Sequence, residues 1–238
     1  MKTGRLFLIP TPLDTESGFG WDLMIQGIVK QLRFFIAEEI RTTRRHLRKA
    51  IPDHPIDECT FFLLNEHTTP QEVNELISPL KKGYDMGLMS EAGMPAIADP
   101  GALLVRLCHQ ENIEVIPLPG PTSPMMALAA SGFNGQHFRF HGYLPVKQPD
   151  RSKKIKELER ATLSGETQIF IETPYRNLQL LEDILKICNA DTPLCIAAGL
   201  TGPGQFIKTA QLKYWKSAVP PIHKKPAVFL LGPYGCPL

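Results

Sequence analysis

The sequence lacks the features that would assign it to a membrane, a secretory route or a disulfide-rich class. No stretch of its 238 residues approaches the roughly 18 consecutive apolar residues of a membrane-spanning helix. The segment before Pro10 has no long apolar run of the signal-peptide type. The five cysteines are odd in number and form no CxxC pair, so we expect neither a disulfide framework nor a metal site, and most should be buried. A cytoplasmic protein is predicted.

Glycine-rich phosphate motifs and a strong charge imbalance are also absent. The chain contains neither GxGxxG nor a P-loop, which disfavours a dinucleotide-binding fold of the common kind. The formal net charge is only +2, so binding to a polyanion would require positive charge that is concentrated locally.

Short apolar runs alternate with helix-like segments along the whole chain. Ile25, Ile28, Val29 and Leu32, for example, have the spacing of one helical face. The predicted strands are Arg5–Ile9, Phe34–Ala37, Phe61–Leu64, Met86–Met89, Ile113–Ile116, Phe138–Phe140, Gln168–Ile171, Leu194–Ala197 and Ala227–Leu231. This alternation predicts an α/β fold built on mainly parallel sheets with flanking helices. We place a domain boundary in the proline-rich segment after Ile116, which gives domains 1–119 and 120–238.

Three predicted strand-to-helix turns place a capping residue before a proline. They are Asp99-Pro100, Ser123-Pro124 and Thr173-Pro174. Ligands of open α/β sheets usually bind beyond the carboxyl ends of the strands, so these turns are compatible with a binding cleft. Good turn chemistry alone explains the same spacing.

The most informative segment is Ser90–Gly101, with the sequence SEAGMPAIADPG. It follows a predicted strand and combines two glycines with two prolines in a compact loop. Gly93 would allow a ligand to approach the backbone closely, while Pro95 and Pro100 restrict the path of the chain.

This loop resembles the SDAGTPxISDPG signature of the ribosomal RNA small subunit methyltransferase I family, which belongs to the tetrapyrrole methylase superfamily. Six further segments are similar to family motifs in the same order: Ala37–Arg44, Asn65–His67, Leu118–Pro124, Phe140–Pro145, Glu172–Arg176 and Lys225–Gly232. The resemblance implies a homodimer of two-domain α/β subunits, with S-adenosylmethionine bound in a cleft between the two domains. It also implies 2′-O-methylation of a ribose in small-subunit ribosomal RNA.

The resemblance implies that many cofactor contacts come from strand ends and their loops. Carried over by position, the cofactor-binding residues would be Pro12, Ser90, Gly93, Met94, Pro95, Ile97, Thr122, Ser123, Ile171, Glu172, Thr173, Leu200, Pro226 and Ala227. Methyl transfer from a sulfonium needs alignment more than it needs a metal, but a general base would help a ribose hydroxyl to react. Glu38, Glu66 and His67 are the candidates for that base, although ordinary solvated side chains explain them about as well.

A basic segment follows the predicted second strand. On a helix, Arg41, Arg44, Arg45, Arg48 and Lys49 would share one face, and a single-signed stripe suits contacts with RNA phosphates. A solvated helix face is the competing explanation. Lys147, Arg151, Lys153 and Lys154 could extend this patch, but a plain surface loop is the better interpretation.

Two segments depart from the family pattern. Leu13–Gly20 replaces a short IGNL turn, and Ala198–Gly204 loses the charges of an RELTK motif. Both departures affect the expected acceptor side, so two alternatives stay open. The acceptor could be a small molecule such as a tetrapyrrole, or the chain could be a non-catalytic RNA-binding descendant of such an enzyme.

Overall fold

The computed structural model describes residues 2–16 and 20–233, which form two compact units. The first unit contains residues 2–13 and 20–122, and the second contains residues 14–16 and 123–233. The segment Leu13–Gly20 therefore lies partly outside the described residues, and Cys236 lies wholly outside them. Cys108, Cys188 and Cys195 are buried, as predicted for most of the cysteines.

The first unit is a parallel sheet covered on both faces. Its strands are β1 (Arg5–Leu8), β2 (Phe34–Ala37), β3 (Thr60–Leu63), β4 (Met86–Met89) and β5 (Glu114–Pro117), and its helices are α1 (Leu23–Gln31), α2 (Ile40–Ala50), α3 (Pro70–Leu76), α4 (Ser78–Lys81) and α5 (Ala102–Gln110). The strand order is β3-β2-β4-β1-β5, and every neighbouring pair is parallel. Successive residues of a strand point to opposite faces, so Leu6 and Phe7 enter different core clusters.

The second unit is a mixed sheet with its own apolar core. Its strands are β6 (Phe138–Tyr143), β7 (Thr167–Glu172), β8 (Pro193–Ala198), β9 (Phe206–Gln211) and β10 (Ala227–Leu231), and its helices are α6 (Ser123–Ser131), α7 (Asp150–Thr162), α8 (Asn177–Ile187) and α9 (Leu212–Trp215). The strand order is β6-β7-β10-β8-β9. Phe170 of β7 and Phe229 of β10 stack at 5.8 Å between ring centroids in this core.

The predicted α/β class with flanking helices is confirmed, and parallel strand pairs outnumber antiparallel ones over the two sheets, although the second sheet itself is mixed. β6, β7 and β8 run in one direction, as expected for strands joined through α7 and α8. β9 returns from β8 through residues 199–205, far fewer than the dozen or so that a parallel crossover needs, so it pairs antiparallel. β10 then inserts between β7 and β8 and runs antiparallel to both.

None of the three expected capping residues lies at the cap position of its helix. α5 begins at Ala102 behind Gly101, without a side-chain cap, so Asp99 is not the capping residue. α8 begins at Asn177, and the Thr173 backbone N–H instead donates to the Glu172 carboxylate at 2.7 Å. α6 begins at Ser123 itself, so Ser123 is the first helical residue instead of the cap, and Pro124 follows it in the first turn.

Candidate active site

The carboxyl ends of the five parallel strands in the first unit lie at one edge of the sheet. The sequence-predicted segments follow these strands in turn: Pro12 after β1, Glu38 after β2, Glu66 and His67 after β3, Ser90–Ile97 after β4, and Thr122 after β5. The topology therefore places at a common edge residues that are far apart in the sequence.

The turn after β1 is hydrogen-bonded to the loop after β4. The Thr11 N–H donates to the Gly93 carbonyl at 2.9 Å, and the Gly93 N–H donates to the Thr11 carbonyl at 3.1 Å. The Thr11 hydroxyl also donates to the Ser90 carbonyl at 3.2 Å. Gly93 has a φ of +82°, and a Cβ there would lie 3.0 Å from Leu13 Cδ2. A glycine is required because this position combines a left-handed backbone with close packing.

The rest of this loop stores backbone strain beside the predicted cofactor residues. Ala96 and Ala98 both have a φ of 65°, which is unfavourable for residues with a Cβ. Ile97 between them is 43% exposed, whereas Pro95 is buried. Strained backbone of this kind clusters at ligand-binding and catalytic sites.

Four carboxylates interact at the same edge: Glu38, Glu66, Glu91 and Asp99. The Glu91 N–H donates to Glu38 Oε2 at 3.0 Å. Burial raises the pKa of Glu38, and the charges of Glu91 and Glu66 add to this effect. Burial, followed by the charge of Glu38, raises the pKa of Asp99 to about 6. The sequence considered Asp99 only as a helix cap, and no local pattern in the sequence indicates its altered pKa.

Glu66 and His67 lie in a more open setting. Their side chains are 85% and 83% exposed, and Glu66 Oε1 lies 3.6 Å from His67 Nε2. Of the three candidate bases, Glu38 is the one that is partly buried, and this burial raises its pKa.

The basic segment is a helix, α2, which begins at Ile40, two residues after Glu38. The Glu39 carboxylate caps it by accepting from the Thr42 N–H, and Thr43 and Leu47 form its buried face. Arg44 donates to Asp57 at 2.6 Å and lies over the Phe61 ring at 5.3 Å.

The other arginines of α2 are more accessible. Arg48 lies 3.9 Å from Asp57, while Arg41 and Arg45 are exposed. Burial lowers the pKa of His46 to about 4, so this neighbouring side chain adds no charge at neutral pH.

The predicted residues of the second unit also meet at one sheet edge. Ala227, the first residue of β10, pairs with Glu172 at the end of β7 and with Ala198 at the end of β8. The Gly199 N–H donates to the Pro226 carbonyl at 3.0 Å, which holds the segment that continues to Leu200. Ile171, Thr173, Leu200 and Pro226 are thus grouped at this edge, while Ser123 lies at the start of α6.

Arg151 corrects the interpretation of residues 147–154 as a plain surface loop. It belongs to the first turn of α7 and is only 1% exposed. Arg151, Ile155, Leu158 and Thr162 form the buried face of that helix. Their helical spacing is the sequence signal that could have revealed the burial.

Residues 30–214 match the family model for tetrapyrrole (corrin/porphyrin) methylases. The chain belongs to the tetrapyrrole methylase family. Ribosomal RNA small subunit methyltransferase I of Buchnera aphidicola subsp. Schizaphis graminum is 33% identical over 88% of this chain and 70% of its own length. The protein of that name from Thermotoga maritima is 33% identical over 83% of this chain and 84% of its own length. These relatives confirm the resemblance that the motifs indicate.

Solved structures of tetrapyrrole methylases share this fold. The methyltransferase CobJ superimposes with a TM-score of 0.65 at 17% identity, covering 98% of this chain and 95% of its own. The precorrin-6Y methylase of Archaeoglobus fulgidus gives a TM-score of 0.58 at 13% identity, covering 98% of this chain and all of its own. The family and these sequence relatives make the chain an S-adenosylmethionine-dependent methyltransferase.

Residues 2–16 and 20–233 of this tetrapyrrole methylase contain neither a cluster of metal ligands nor a membrane-spanning helix. No group of three or more His, Cys, Asp or Glu side chains is placed there to hold a metal ion. No helix in these residues has both the length and the apolar character needed to cross a membrane.

Proposed function

We propose that the chain transfers the methyl group of S-adenosylmethionine to a ribose 2′-hydroxyl of small-subunit ribosomal RNA. The observation that carries the proposal is the junction of β2 and α2. Glu38, the candidate base, is three residues from Arg41, and Arg45 lies one helical turn further on. A proton acceptor in the turn after β2 and a phosphate-binding face on α2 are thereby adjacent in the chain. The relatives that are 33% identical carry the name of a small-subunit RNA methyltransferase.

The residues present fit S-adenosylmethionine. A bound nucleoside and amino acid need hydrogen-bond partners, and the buried hydroxyls of Thr122 and Thr201 have none among the described residues. By the family resemblance, the residues that would hold the cofactor are Pro12, Ser90, Gly93, Met94, Pro95, Ile97, Thr122, Ser123, Ile171, Glu172, Thr173, Leu200, Pro226 and Ala227. When bound, it supplies an electrophilic methyl group on a sulfonium.

In this proposal the chain contributes alignment, charge and a base. Glu38 is the preferred base because its raised pKa brings its proton affinity closer to neutral pH, where a general base works best. Glu66 and His67 remain candidates at the same edge, with highly exposed side chains. Arg41, Arg44, Arg45 and Arg48 would bind phosphates. A homodimeric, cytoplasmic enzyme is part of the proposal and rests on the family resemblance.

A small-molecule acceptor is the alternative within the family. The similarity to CobJ at 17% identity supports the fold and carries no information about the acceptor. The basic face of α2 favours RNA, because a row of exposed arginines along one helix suits contacts with the successive phosphates of a polynucleotide.

Calorimetric titration of the purified protein with S-adenosylmethionine and with S-adenosylhomocysteine tests the cofactor half of the proposal. We expect both to bind with dissociation constants in the micromolar range. If a folded protein binds neither ligand, the proposed cofactor site is wrong unless added small-subunit RNA restores binding.

A further inference from the structure

Arg151 is the largest side chain among those that are fully buried, and no family motif quoted above contains it. Its Nε donates to the Pro145 carbonyl at 3.0 Å, and its Nη1 donates to Asp183 Oδ2 at 2.9 Å. Its Nη2 lies 3.9 Å from Glu172 Oε2. One guanidinium therefore connects the segment after β6, helix α8 and the end of β7.

Glu172 links Arg151 to the turn that follows β7. Its Oε1 accepts from the Thr173 N–H at 2.7 Å and from Arg176 Nη2 at 2.6 Å. The Glu172 side chain is 1% exposed, so its charge must be balanced inside the protein. Arg151 and Arg176 balance Glu172 and Asp183, which gives two positive and two negative groups.

A purely stabilising role does not explain why the network is centred on the end of β7. Burying ion pairs contributes little net stability compared with apolar side chains of similar volume. Glu172 is hydrogen-bonded through Oε1 only, and its Oε2 faces Arg151 Nη2 at 3.9 Å without a hydrogen bond, so Arg151 restrains this carboxylate through charge at close range. The backbone that Glu172 fixes is Ile171–Thr173, which contributes to the proposed cofactor site.

We propose that Arg151 is a positioning residue for the methyl-donor site. By holding Glu172, it sets the backbone at Ile171–Thr173 in the geometry that binds the cofactor. Arg151 does not itself touch the ligand in this account. The inference rests on the proposed function, because it assigns a ligand-binding role to the end of β7.

The test compares Arg151→Met and Arg151→Lys with Arg160→Met. Arg160 is an exposed arginine on the same helix, so it controls for loss of charge from α7. S-adenosylhomocysteine affinity is measured by calorimetry at a temperature where thermal melts show each variant to be folded. We expect Arg151→Met to raise the dissociation constant at least about tenfold, as misplaced positioning groups commonly do. Arg151→Lys should recover part of this loss, and Arg160→Met should bind like the wild type.

Amide hydrogen exchange supplies a readout that needs no ligand. In Arg151→Met, the Thr173 and Arg176 amides should exchange faster, while the Phe170 amide in the centre of β7 stays protected. If Arg151→Met does not fold, Asp183→Asn replaces it, since it removes one anchor of the same guanidinium. It is expected to show the same pattern with a smaller change in affinity.

The outcomes separate the two proposals. If the wild type binds and a folded Arg151→Met binds equally well, the positioning role is overturned. Unchanged exchange at Thr173 overturns it too, whatever happens to affinity. If the wild type binds no S-adenosylhomocysteine with or without RNA, the proposed function fails, and faster Thr173 exchange would then support only the local restraint.

Discussion

At the scale of single residues, the loop after β4 depends on groups that are unfavourable in isolation. Ala96 and Ala98 adopt left-handed backbone conformations, and Asp99 retains a proton to a higher pH than an ordinary aspartate. Such costs persist only where the surrounding structure compensates for them, as binding sites commonly do.

Asp99→Asn tests the cost of this carboxylate. The folded-state pKa of about 6 lies above the ordinary value of 3.8, so ionised Asp99 destabilises the fold above pH 6, and the penalty disappears as the pH falls through 3.8. The variant should be more stable than the wild type at pH 8, by on the order of 2 kcal/mol. The difference should shrink toward pH 4, as measured by denaturant unfolding at several pH values.

Asp53→Asn is a control for Asp99→Asn, because the pKa of Asp53 is lowered where that of Asp99 is raised. The hydrogen bond from Lys30 lowers the pKa of Asp53, so this variant should lose a little stability at neutral pH. An Asp99→Asn variant whose advantage over the wild type did not change with pH would contradict the account.

Gly93→Ala tests the close approach of the turn after β1 to the loop after β4. The added Cβ meets Leu13 Cδ2 at 3.0 Å and the Pro121 carbonyl at 3.3 Å, in addition to the strain of a positive φ. Gly132→Ala is the matched control, because Gly132 has a φ of +75° but open space around it. We expect Gly132→Ala to lose about 1 kcal/mol of stability and Gly93→Ala to lose more, with only Gly93→Ala weakening S-adenosylhomocysteine binding as well. If the two variants bind S-adenosylhomocysteine equally well, Gly93 is not part of the cofactor site.

At the scale of elements, the sequence predicted the positions of strands and helices better than it predicted which strands pair and in which direction. The limits of β2, β4 and β10 agree with the prediction, because each is a dense apolar run with a clear end. β9 was missed since only one of its edges is paired and its residues are partly exposed, which weakens the apolar pattern. The antiparallel direction of β10 was missed because it depends on which strands lie beside it, and local periodicity carries no such information.

The candidate site residues were likewise predictable only where they form a local motif. The glycines, prolines and arginines of the site are visible as motifs in the sequence. The shared edge of β1 and β4 and the burial of Arg151 depend on contacts between distant segments, so they required the structure.

The basic face of α2 yields a prediction that distinguishes its arginines. Arg44 is held by Asp57 and Phe61, whereas Arg45 is exposed on the same helix. Arg45→Ala should weaken binding to small-subunit RNA and lower the slope of log affinity against log salt by about 1. Arg44→Ala should reduce stability more and the salt slope less. Filter-binding assays at several salt concentrations measure both slopes, and an unchanged slope for Arg45→Ala would count against phosphate contact.

At the scale of the whole molecule, each unit presents a sheet edge at which the predicted cofactor residues gather. In the first unit these are the ends of parallel strands, and in the second they are the ends of β7 and β8 with the start of β10. The fold and the methyltransferase class follow from the family, while the methyl acceptor is identified by a transfer assay.

The most direct test of the account is transfer of a labelled methyl group from S-adenosylmethionine to small-subunit ribosomal RNA, presented free and in assembled subunits. Methylation of a ribose 2′-hydroxyl blocks alkaline cleavage of the adjacent phosphodiester, so the label should appear in alkali-resistant dinucleotides. Glu38→Gln should slow this transfer about 100-fold or more, while Glu66→Gln should change it little. Label in ordinary mononucleotides, or label only on a tetrapyrrole offered in parallel, would contradict the assignment to ribose methylation of RNA.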